Sequence, residues 1–254
     1  MLPILMGTAA AAAAAVAGYA SFAPRSQLFG ATFTGEAPAS RRLALTFDDG
    51  PNDPYTLRLL EVLARYEVRA TFFLIGRYAA ARPEIVQAIA GEGHVFANHT
   101  YTHPNLALCS PRRIRQELED CEEALAGAAD GRAPLFRPPF GGRRPAVLRA
   151  ARQLGLTPVM WTVTCYDWKP TTAERVVRHA VRQVRGGDII LLHDGGHRAM
   201  GADRGHTVEA AARILERYRG EGFEFVTVPR MMDVAVPGES AAAGAGSPQP
   251  PNGV

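Results

Sequence analysis

The sequence predicts an α/β fold in which helices cover a parallel β-sheet. Short apolar runs alternate along the chain with segments of helical spacing, an order typical of strand–helix–strand units. The chain has 254 residues, of which 47% are hydrophobic, and it can therefore bury the sizeable core of a single domain. An open doubly wound sheet and a closed barrel both fit this alternation. Polar clusters follow several of the predicted strands, which favours a barrel-like site at the strands' carboxyl ends.

The predicted strands are short apolar runs bounded by glycine, proline or polar residues. We predict strands over residues 43–47, 70–75, 94–97, 135–136, 158–161, 188–192 and 223–226. The first of them, Leu-Ala-Leu-Thr-Phe, is typical of a strand that is buried on both faces.

The predicted helices have apolar residues three and four positions apart. We predict helices over residues 56–66, 83–90, 110–126, 172–184 and 207–219. Leu59, Leu60 and Leu63 share one face of the first helix. Ser110 and Thr172 are expected to cap the amino ends of two later helices, because their side-chain oxygens can accept hydrogen bonds from free backbone N–H groups.

Both ends of the chain differ in composition from its middle. Residues 1–23 contain no charge and include seven consecutive alanines over residues 9–15, which resembles a signal peptide or a weak membrane anchor. Small residues suit cleavage after Ala20 or Ala23, but the usual basic start is absent, and a misassigned start codon is a third alternative. We predict a linker over residues 24–40, a folded domain over 41–236 and a disordered tail over 237–254.

Charge and cysteine content exclude some classes of protein. The formal net charge of +3 is too small, over this length, to indicate a nucleic-acid partner. Three cysteines, Cys109, Cys121 and Cys165, cannot all pair within one chain, and their spacing fits no zinc-binding motif. Buried free thiols are therefore the favoured interpretation, and a bridge between Cys109 and Cys121 stays open.

Two adjacent carboxylates, Asp48 and Asp49, end the first predicted strand within the sequence Thr-Phe-Asp-Asp-Gly-Pro. Neighbouring carboxylates raise each other's cost of ionisation unless a cation lies between them. Taken alone, this sequence is also an ordinary turn.

Two histidines, His99 and His103, follow the third predicted strand within His-Thr-Tyr-Thr-His. If this segment forms a helical turn, residues four apart share one face and can present two imidazoles to one metal ion. A single pair at this spacing is often incidental.

Three further polar clusters follow later strands: Arg137 in Arg-Pro-Pro-Phe-Gly, the pair Asp167-Trp168, and His193 in Leu-Leu-His-Asp. Each alone could be a rigid loop, an ordinary loop or a core histidine. Five polar clusters placed after strands are harder to attribute to accident. Together they supply carboxylates, three histidines and an arginine, a set that suits a metal-dependent hydrolase.

In this order, the five clusters resemble the five motifs of the polysaccharide deacetylases, the NodB-homology domains of carbohydrate esterase family 4. The match extends over residues 43–194. This resemblance implies a single-domain, distorted (β/α) barrel of about seven parallel strands. It also implies a metal-dependent hydrolase that removes N-acetyl groups from an amino-sugar polymer and releases acetate. Peptidoglycan, chitin oligomers and exopolysaccharides all remain as substrates.

The resemblance further implies how the metal centre is assembled. Asp49, His99 and His103 would hold a divalent metal, most commonly Zn²⁺, with Co²⁺ or Ni²⁺ as substitutes. Asp48 would be the general base that deprotonates the attacking water. Arg137 would orient Asp48.

The remaining matched residues would complete the site. His193 would be the general acid, tuned by Asp167, and would protonate the leaving nitrogen. The backbone N–H of Phe140 would help to stabilise the oxyanion. Trp168 and Leu191 would line the pocket for the acetyl methyl group.

The sequence departs from the family pattern at two positions. Many relatives carry a second acid three residues before the motif-four aspartate, where this chain has Thr164, and Phe140 occupies a position at which tyrosine is common. Only the backbone of Phe140 has a role in this mechanism, so neither departure removes a required group. His197 and His206 lie beyond the fifth motif, in a Gly-rich loop that is expected to be solvated but could line the cleft.

Two other functions fit parts of the same pattern. One is a metal-dependent amidase acting on a small cyclic imide or formamide, and the other is a non-catalytic glycan-binding protein with a decayed site. The complete set of motif residues argues against decay. We expect an extracytoplasmic monomer whose partner is an N-acetylated glycan, with membrane attachment through the N-terminus as an alternative to cleavage.

Overall fold

A computed structural model describes residues 14–234, so the first part of the expected signal or anchor and the whole of the expected tail lie outside the described residues. Residues 14–22 are helical. Over residues 14–234, no helix combines the length and the apolar character that crossing a membrane would need. Cys109, Cys121 and Cys165 are free thiols, so the bridge left open by the sequence is not formed.

Within the described residues, eight strands form one sheet in which every ladder is parallel. In chain order they are β1 (Arg42–Asp48), β2 (Thr71–Leu74), β3 (Val95–Asn98), β4 (Leu135–Phe136), β5 (Thr157–Pro158), β6 (Val163–Thr164), β7 (Asp188–His193) and β8 (Glu224–Phe225). The order across the sheet is β5-β4-β3-β2-β1-β7-β6, and β8 pairs with the start of β1. This curled row of seven parallel strands confirms the predicted α/β distorted barrel.

The helices pack around the sheet. They are α1 (Tyr55–Arg65), α2 (Gly76–Ala81), α3 (Pro83–Gly91), α4 (Pro111–Ala128), α5 (Pro145–Gln153), α6 (Ala173–Gln183), α7 (Gly205–Gly220) and α8 (Val228–Met231). The two predicted caps are confirmed: Ser110 Oγ accepts from Arg113 N at 3.3 Å, and Thr172 Oγ1 accepts from Arg175 N at 3.4 Å. Helices α2, α5 and α8 were not predicted from the sequence.

Strand β1 shows how the sequence separates the two faces of the sheet. Leu43, Leu45 and Phe47 are buried in the core beneath the helices. Ala44, one residue out of phase, belongs to the inner core. Because side chains alternate along a strand, Asp48 shares the inner face with Ala44. The strand therefore ends with a carboxylate directed into the barrel rather than towards the helices.

Residues 24–40, which composition assigns to a linker, lie against the domain. Phe33 N donates to Pro158 O at 2.9 Å, and Met160 N donates to Phe33 O at 2.8 Å. A second bridge joins Gly35 to Asp188 at the start of β7. Phe33 therefore pairs with the free edge of β5, while Val159 N still donates to Phe136 O at 2.8 Å. Of the strand predicted over 158–161, the structure forms only β5, Thr157–Pro158.

Candidate active site

The parallel sheet places the carboxyl ends of all its strands at one edge, and the five polar clusters meet there. Asp49 follows β1, while His99 and His103 follow β3. The Nε2 atoms of His99 and His103 lie 3.5 Å and 3.1 Å from Asp49 Oδ1. All three side chains are buried. These residues form a compact group of one carboxylate and two imidazoles.

The helical turn considered for residues 99–103 is not formed. Thr100 and His103 have φ angles of 67° and 62°, so the segment is a loop with left-handed residues. Thr100 N donates to Asn98 Oδ1 at 2.8 Å, and His103 N donates to Thr100 Oγ1 at 3.0 Å. The two imidazoles nevertheless meet, with ring centroids 4.9 Å apart. The two histidines predicted from their spacing therefore lie together, but a loop and not a helical turn brings them there.

This loop is held from outside by Glu117 on α4, a residue that sequence reasoning missed. Its carboxylate accepts from Thr102 N at 2.7 Å and from Thr102 Oγ1 at 2.6 Å, and its backbone oxygen accepts from Tyr101 N at 3.0 Å. Glu117 is buried and also pairs with Arg113. A helical glutamate in an apolar pattern gives no sequence signal of this contact.

The group formed by Asp49, His99 and His103 has the chemistry of a metal site. One candidate ligand atom from each lies within 4.8 Å of the others. Asp49 Oδ1 is buried, and no group among the described residues hydrogen-bonds to it. His99 Nδ1 lies 2.7 Å from the backbone oxygen of Arg137. Because a carbonyl can only accept, Nδ1 carries the proton and Nε2 presents its lone pair, as in histidines that bind metals.

The pKa shifts of Asp49 and His103 also favour the protonation states that bind a cation. Burial alone would raise the pKa of Asp49, but its interactions with the neighbouring imidazoles of His103, His197 and His99 outweigh burial and hold the pKa well below its usual range. Burial lowers the pKa of His103, against the opposing effect of Asp49. A carboxylate and neutral imidazoles are the forms that bind a divalent metal.

Asp48 is fixed by a buried arginine. Arg137 Nη1 donates to Asp48 Oδ1 at 2.7 Å and to Thr46 Oγ1 at 2.8 Å, and Nη2 donates to Met160 O at 3.2 Å. The guanidinium also lies 4.0 Å from the ring centre of Phe73. The second oxygen of Asp48 lies 3.8 Å from His99 Nε2. One carboxylate oxygen is therefore immobilised while the other lies beside the metal-type group.

His193, at the end of β7, is paired with the buried Asp167. Asp167 Oδ1 lies 2.8 Å from His193 Nδ1, and Oδ2 accepts from His193 N at 2.7 Å and from Thr207 Oγ1 at 2.9 Å. Burial would lower the pKa of His193, but the charge of Asp167 outweighs it and raises the pKa to about 9. With Nδ1 bonded to Asp167, Nε2 is the nitrogen left for a substrate. Thr207 was not foreseen, because it lies 40 residues from Asp167 in sequence.

The candidate residues surround one cavity of about 790 Å³. Those that line it are Asp48, Asp49, His99, His103, Phe140, Trp168, Leu191 and His193. Arg137 and Asp167 lie behind this layer, fully buried. Phe140 occupies a left-handed conformation, with φ 57°, in the turn Pro139–Gly141, and its ring contacts His103 with centroids 4.7 Å apart.

The two histidines beyond the fifth motif have different positions. His197 lines the cavity, stacks on His103 with ring centroids 4.7 Å apart, and places Nδ1 3.8 Å from Asp49 Oδ2. His206 instead lies outside the lining, with Nε2 2.7 Å from the backbone oxygen of Asp167.

Asp194, directly after His193, is a buried carboxyl that sequence reasoning did not single out. Its Oδ2 accepts from Thr56 Oγ1 at 2.5 Å, and burial raises its pKa to about 7. It lies against Gly50, where an added Cβ would come within 2.1 Å of Asp194 Oδ2. Only glycine fits at that point of the turn after Asp49.

Comparison with known proteins finds one consistent set of relatives. The profile of the polysaccharide deacetylase family matches residues 35–159. The chain is 36% identical over 204 residues to a chitooligosaccharide deacetylase of Bradyrhizobium sp., covering 78% of this chain and 93% of that protein. It is also 36% identical to a peptidoglycan-N-acetylglucosamine deacetylase of Bacillus cereus, covering 78% and 92%.

Solved structures agree with these sequence relatives. A peptidoglycan N-acetylglucosamine deacetylase, crystallised with an N-oxidanyl-benzamide compound, superimposes with a TM-score of 0.74 at 35% identity, over 80% of this chain and 93% of that chain. A Bacillus anthracis protein described as a CE4 family pseudoenzyme also superimposes with a TM-score of 0.74, at 27% identity, over 80% and 69% of the two chains.

Proposed function

The chain belongs to the polysaccharide deacetylase family, and we propose that it hydrolyses the N-acetyl groups of an amino-sugar polymer and releases acetate. The observation that carries this proposal is the convergence of Asp48, Asp49, His99, His103 and His193 on one cavity. That set contains a metal-type group, a base and an acid, which are the parts that amide hydrolysis needs.

Asp49, His99 and His103 would hold the metal, and Zn²⁺ fits two imidazoles and one carboxylate best. When bound, such a cation lowers the pKa of a coordinated water and polarises the amide carbonyl. Co²⁺ and Ni²⁺ are the proposed substitutes. The buried Asp49 Oδ1 supports this assignment, because it has no partner in the part of the chain that the structure describes and a cation would satisfy it.

Asp48 would remove the proton from the attacking water. Its Oδ1 accepts from Arg137, and this contact orients the carboxylate. The free oxygen beside His99 would be the proton acceptor. Asp48 is better suited to this role than to metal binding, since Arg137 already occupies one of its oxygens.

His193 would protonate the leaving nitrogen. With its pKa raised to about 9, it is protonated at neutral pH and can act as a general acid. The backbone N–H of Phe140 would donate to the oxyanion. Trp168, packed against His193 with ring centroids 5.1 Å apart, and Leu191 would receive the acetyl methyl group.

The substrate class we propose is a glycan that contains N-acetylglucosamine. Relatives are named as chitooligosaccharide and peptidoglycan-N-acetylglucosamine deacetylases. Phe140, Tyr166 and Trp168 are exposed for 39–51% of their surface, and such aromatic rings suit contact with sugar rings. We further propose that the chain acts as a monomer in the cell envelope, with a signal or membrane anchor within residues 1–23. Fractionation with amino-terminal sequencing tests that location.

The test of this function is acetate release from peptidoglycan, chitin oligomers and an exopolysaccharide, with and without a metal chelator. We expect release from at least one glycan, loss with the chelator and recovery when Zn²⁺ is restored. Asp48→Asn is the matched variant, because it keeps the side chain's shape and removes the proton acceptor. Release that the chelator and Asp48→Asn both leave unchanged would contradict the proposal.

A non-catalytic glycan-binding role is the second candidate, because one structural neighbour is described as a pseudoenzyme. Glycan binding without acetate release, in protein loaded with Zn²⁺, would favour it. A small-molecule amidase is the third candidate, and it predicts turnover of cyclic imides or formamides but not of glycans. An intact chain found wholly in the cytosol would also favour this amidase.

A further inference from the structure

Arg143 is a buried cation that the mechanism above does not use. It is 1% exposed, and no carboxylate pairs with it within the part of the chain that the structure describes. Burial lowers its pKa, yet a guanidinium remains charged in proteins. A buried charge is tolerated only where polar groups surround it. The polar groups around Arg143 therefore compensate for the burial of its charge.

Those groups are backbone carbonyls of two separate segments. Nη2 donates to Ala23 O at 2.6 Å and to Ser26 O at 2.8 Å, with Pro24 O at 3.5 Å. Nη1 donates to Ser21 O at 3.4 Å and to Gly141 O at 3.0 Å, and the backbone N also donates to Ser21 O at 3.0 Å. One side chain thus ties residues 21–26, here named the strap, to the turn Pro139–Gly141.

The strap also packs directly on the residues after that turn. A Cβ added to Gly142 would lie 3.3 Å from the Phe22 ring, and one added to Gly141 would lie 3.6 Å from Phe22 O. From the other side, Trp161 and Met160 close on Gly141 at 3.1 Å and 3.2 Å from the same added atom. The backbone of the turn at Gly141 and Gly142 is therefore packed between the strap and the barrel interior, while the Phe140 ring stays exposed.

Phe140 lies in this turn with φ 57°, a conformation that non-glycine residues rarely adopt. Such backbone persists where surrounding contacts determine it. We propose that Arg143 is a positioning residue which, through the strap, holds the left-handed turn that carries Phe140, whose N–H is the proposed oxyanion donor, in place at the cleft. The kinetic part of this inference rests on the proposed function. The structural coupling of strap and turn does not.

The point at which the N-terminus is cleaved decides whether the strap stays complete. Cleavage after Ala20 keeps every strap carbonyl that Arg143 binds, whereas cleavage after Ala23 removes those of Ser21 and Ala23. We therefore expect the active chain to begin at Ser21 or earlier. A fully active mature chain that begins at Pro24 contradicts the proposal.

The direct test compares Arg143→Met with Arg143→Lys and Arg152→Met in the full-length protein. Arg152 is the matched control, because it donates to Ala31 O at 2.8 Å in the same N-terminal segment but outside the strap. We expect Arg143→Met to lower kcat by about 10-fold or more, since loss of one oxyanion donor lowers kcat by about 10²- to 10³-fold. KM and metal content should change little. Arg143→Lys should recover part of kcat, and Arg152→Met should resemble wild type.

Amide hydrogen exchange measures the mobility of the strap and the turn directly, which an activity assay does not. Arg143→Met should speed exchange in residues 21–26 and 139–143 together, whereas Arg152→Met should leave 139–143 unchanged. A lower Tm with unchanged kcat and unchanged exchange at 139–143 would make Arg143 merely structural and overturn the inference. If the wild-type protein releases acetate from no glycan, the proposed function fails, and exchange at 139–143 still decides the coupling.

A milder variant covers the case in which Arg143→Met does not fold. Phe22 is 43% exposed, so Phe22→Ala removes the ring against Gly142 with little loss of buried surface. We expect faster exchange at residues 139–143 and a smaller fall in kcat than for Arg143→Met. Leu28→Ala, an exposed position beyond the strap, is its control. Equal exchange in the two variants would contradict the proposal.

Discussion

The two halves of the site differ in how completely their polar atoms are satisfied. In the metal half, which comprises Asp49, His99 and His103, the buried atoms Asp49 Oδ1 and His103 Nδ1 have no hydrogen-bond partner within residues 14–234. In the acid half, Asp167 accepts from His193 at both its ring and its backbone nitrogen, and from Thr207. The acid half is complete in the protein alone, whereas the metal half is not.

This difference indicates where an added group must act. A buried polar atom without a partner costs about 1–3 kcal/mol, so binding a cation in the metal half should stabilise the fold. The acid half gains nothing comparable from a cation. Metal removal should therefore lower both activity and Tm, while leaving the contacts of His193 and Asp167 in place.

The largest effect should come from removing a metal ligand. Asp49→Ala deletes the carboxylate between the two imidazoles, and we expect activity to fall by about 10³-fold or more, which corresponds to the several kcal/mol that a metal supplies. Elemental analysis should show that bound metal is lost. Full Zn²⁺ occupancy in Asp49→Ala would remove the distinction between the halves.

Asp48→Asn should separate the base from its metal-binding neighbour. We expect kcat to fall by about 10²-fold or more, the scale for loss of a general base, with metal content nearly unchanged. Metal content and kcat must be measured on the same preparation. If Asp48→Asn loses the metal and Asp49→Asn keeps it, the two carboxylates exchange roles.

Asp167→Asn should damage only the acid half. Asp167 raises the pKa of His193 to about 9, so the wild-type kcat should fall as pH rises through that value and His193 loses its proton. Without the charge of Asp167, the pKa of His193 falls and the alkaline limb of the pH profile moves to lower pH. At pH 8 we expect activity to fall by about 10- to 100-fold.

The control for this prediction is metal content, which should not change. Asp48 and Asp49 also raise the pKa of His193, and a bound cation would offset them, so the limb in the loaded enzyme should lie somewhat below 9. The same pair contributes to stability while His193 is protonated, and this contribution should be lost as pH rises through the folded pKa. An alkaline limb that Asp167→Asn does not move would contradict the assignment of His193 as the acid.

Elements and residues could be predicted from the sequence where their formation depends on neighbours within a few positions. The strand that ends at Asp48 and the caps at Ser110 and Thr172 depend on neighbours within a few positions, and all are found. Helix α5 was missed although its buried residues share one face, because only Val147 and Leu148 are bulky and the other two, Ala150 and Ala151, carry little apolar surface. The pairing of Phe33 with the free edge of β5 could not be foreseen, because the two segments lie far apart in sequence.

The same distinction holds within the site. The candidate residues that line the cavity belong to the five clusters, because each cluster follows its own strand. The supporting contacts were missed, since they join residues far apart in sequence: Thr207 with Asp167, and Arg143 with Ser21. A single sequence shows which residues end a strand, but it does not show which distant side chains form hydrogen bonds with those residues in the folded protein.

The smallest effect should come from weakening a support of the metal half. Glu117 bonds both the backbone and the hydroxyl of Thr102, within the loop that carries His99 and His103. Glu117→Gln keeps the size of the side chain but removes its charge and one acceptor oxygen. Loss of a contact behind a metal ligand weakens metal affinity by about 10- to 100-fold, and we expect the lower end here because an amide can still accept one bond. Zn²⁺ titration against a competing chelator measures this affinity.

Glu119→Gln is the matched control, because Glu119 is on the same helix but is exposed and pairs only with Arg115. Its metal affinity should equal that of wild type. At saturating Zn²⁺, Glu117→Gln should recover most of its activity, since the ligands themselves are intact, whereas Asp167→Asn should recover none. Weakened Zn²⁺ binding in Asp167→Asn, or none in Glu117→Gln, would show that the two halves are not supported separately. The two halves are supported separately if changes in the loop after β3 alter only metal affinity and changes at Asp167 alter only the alkaline limb of the pH profile.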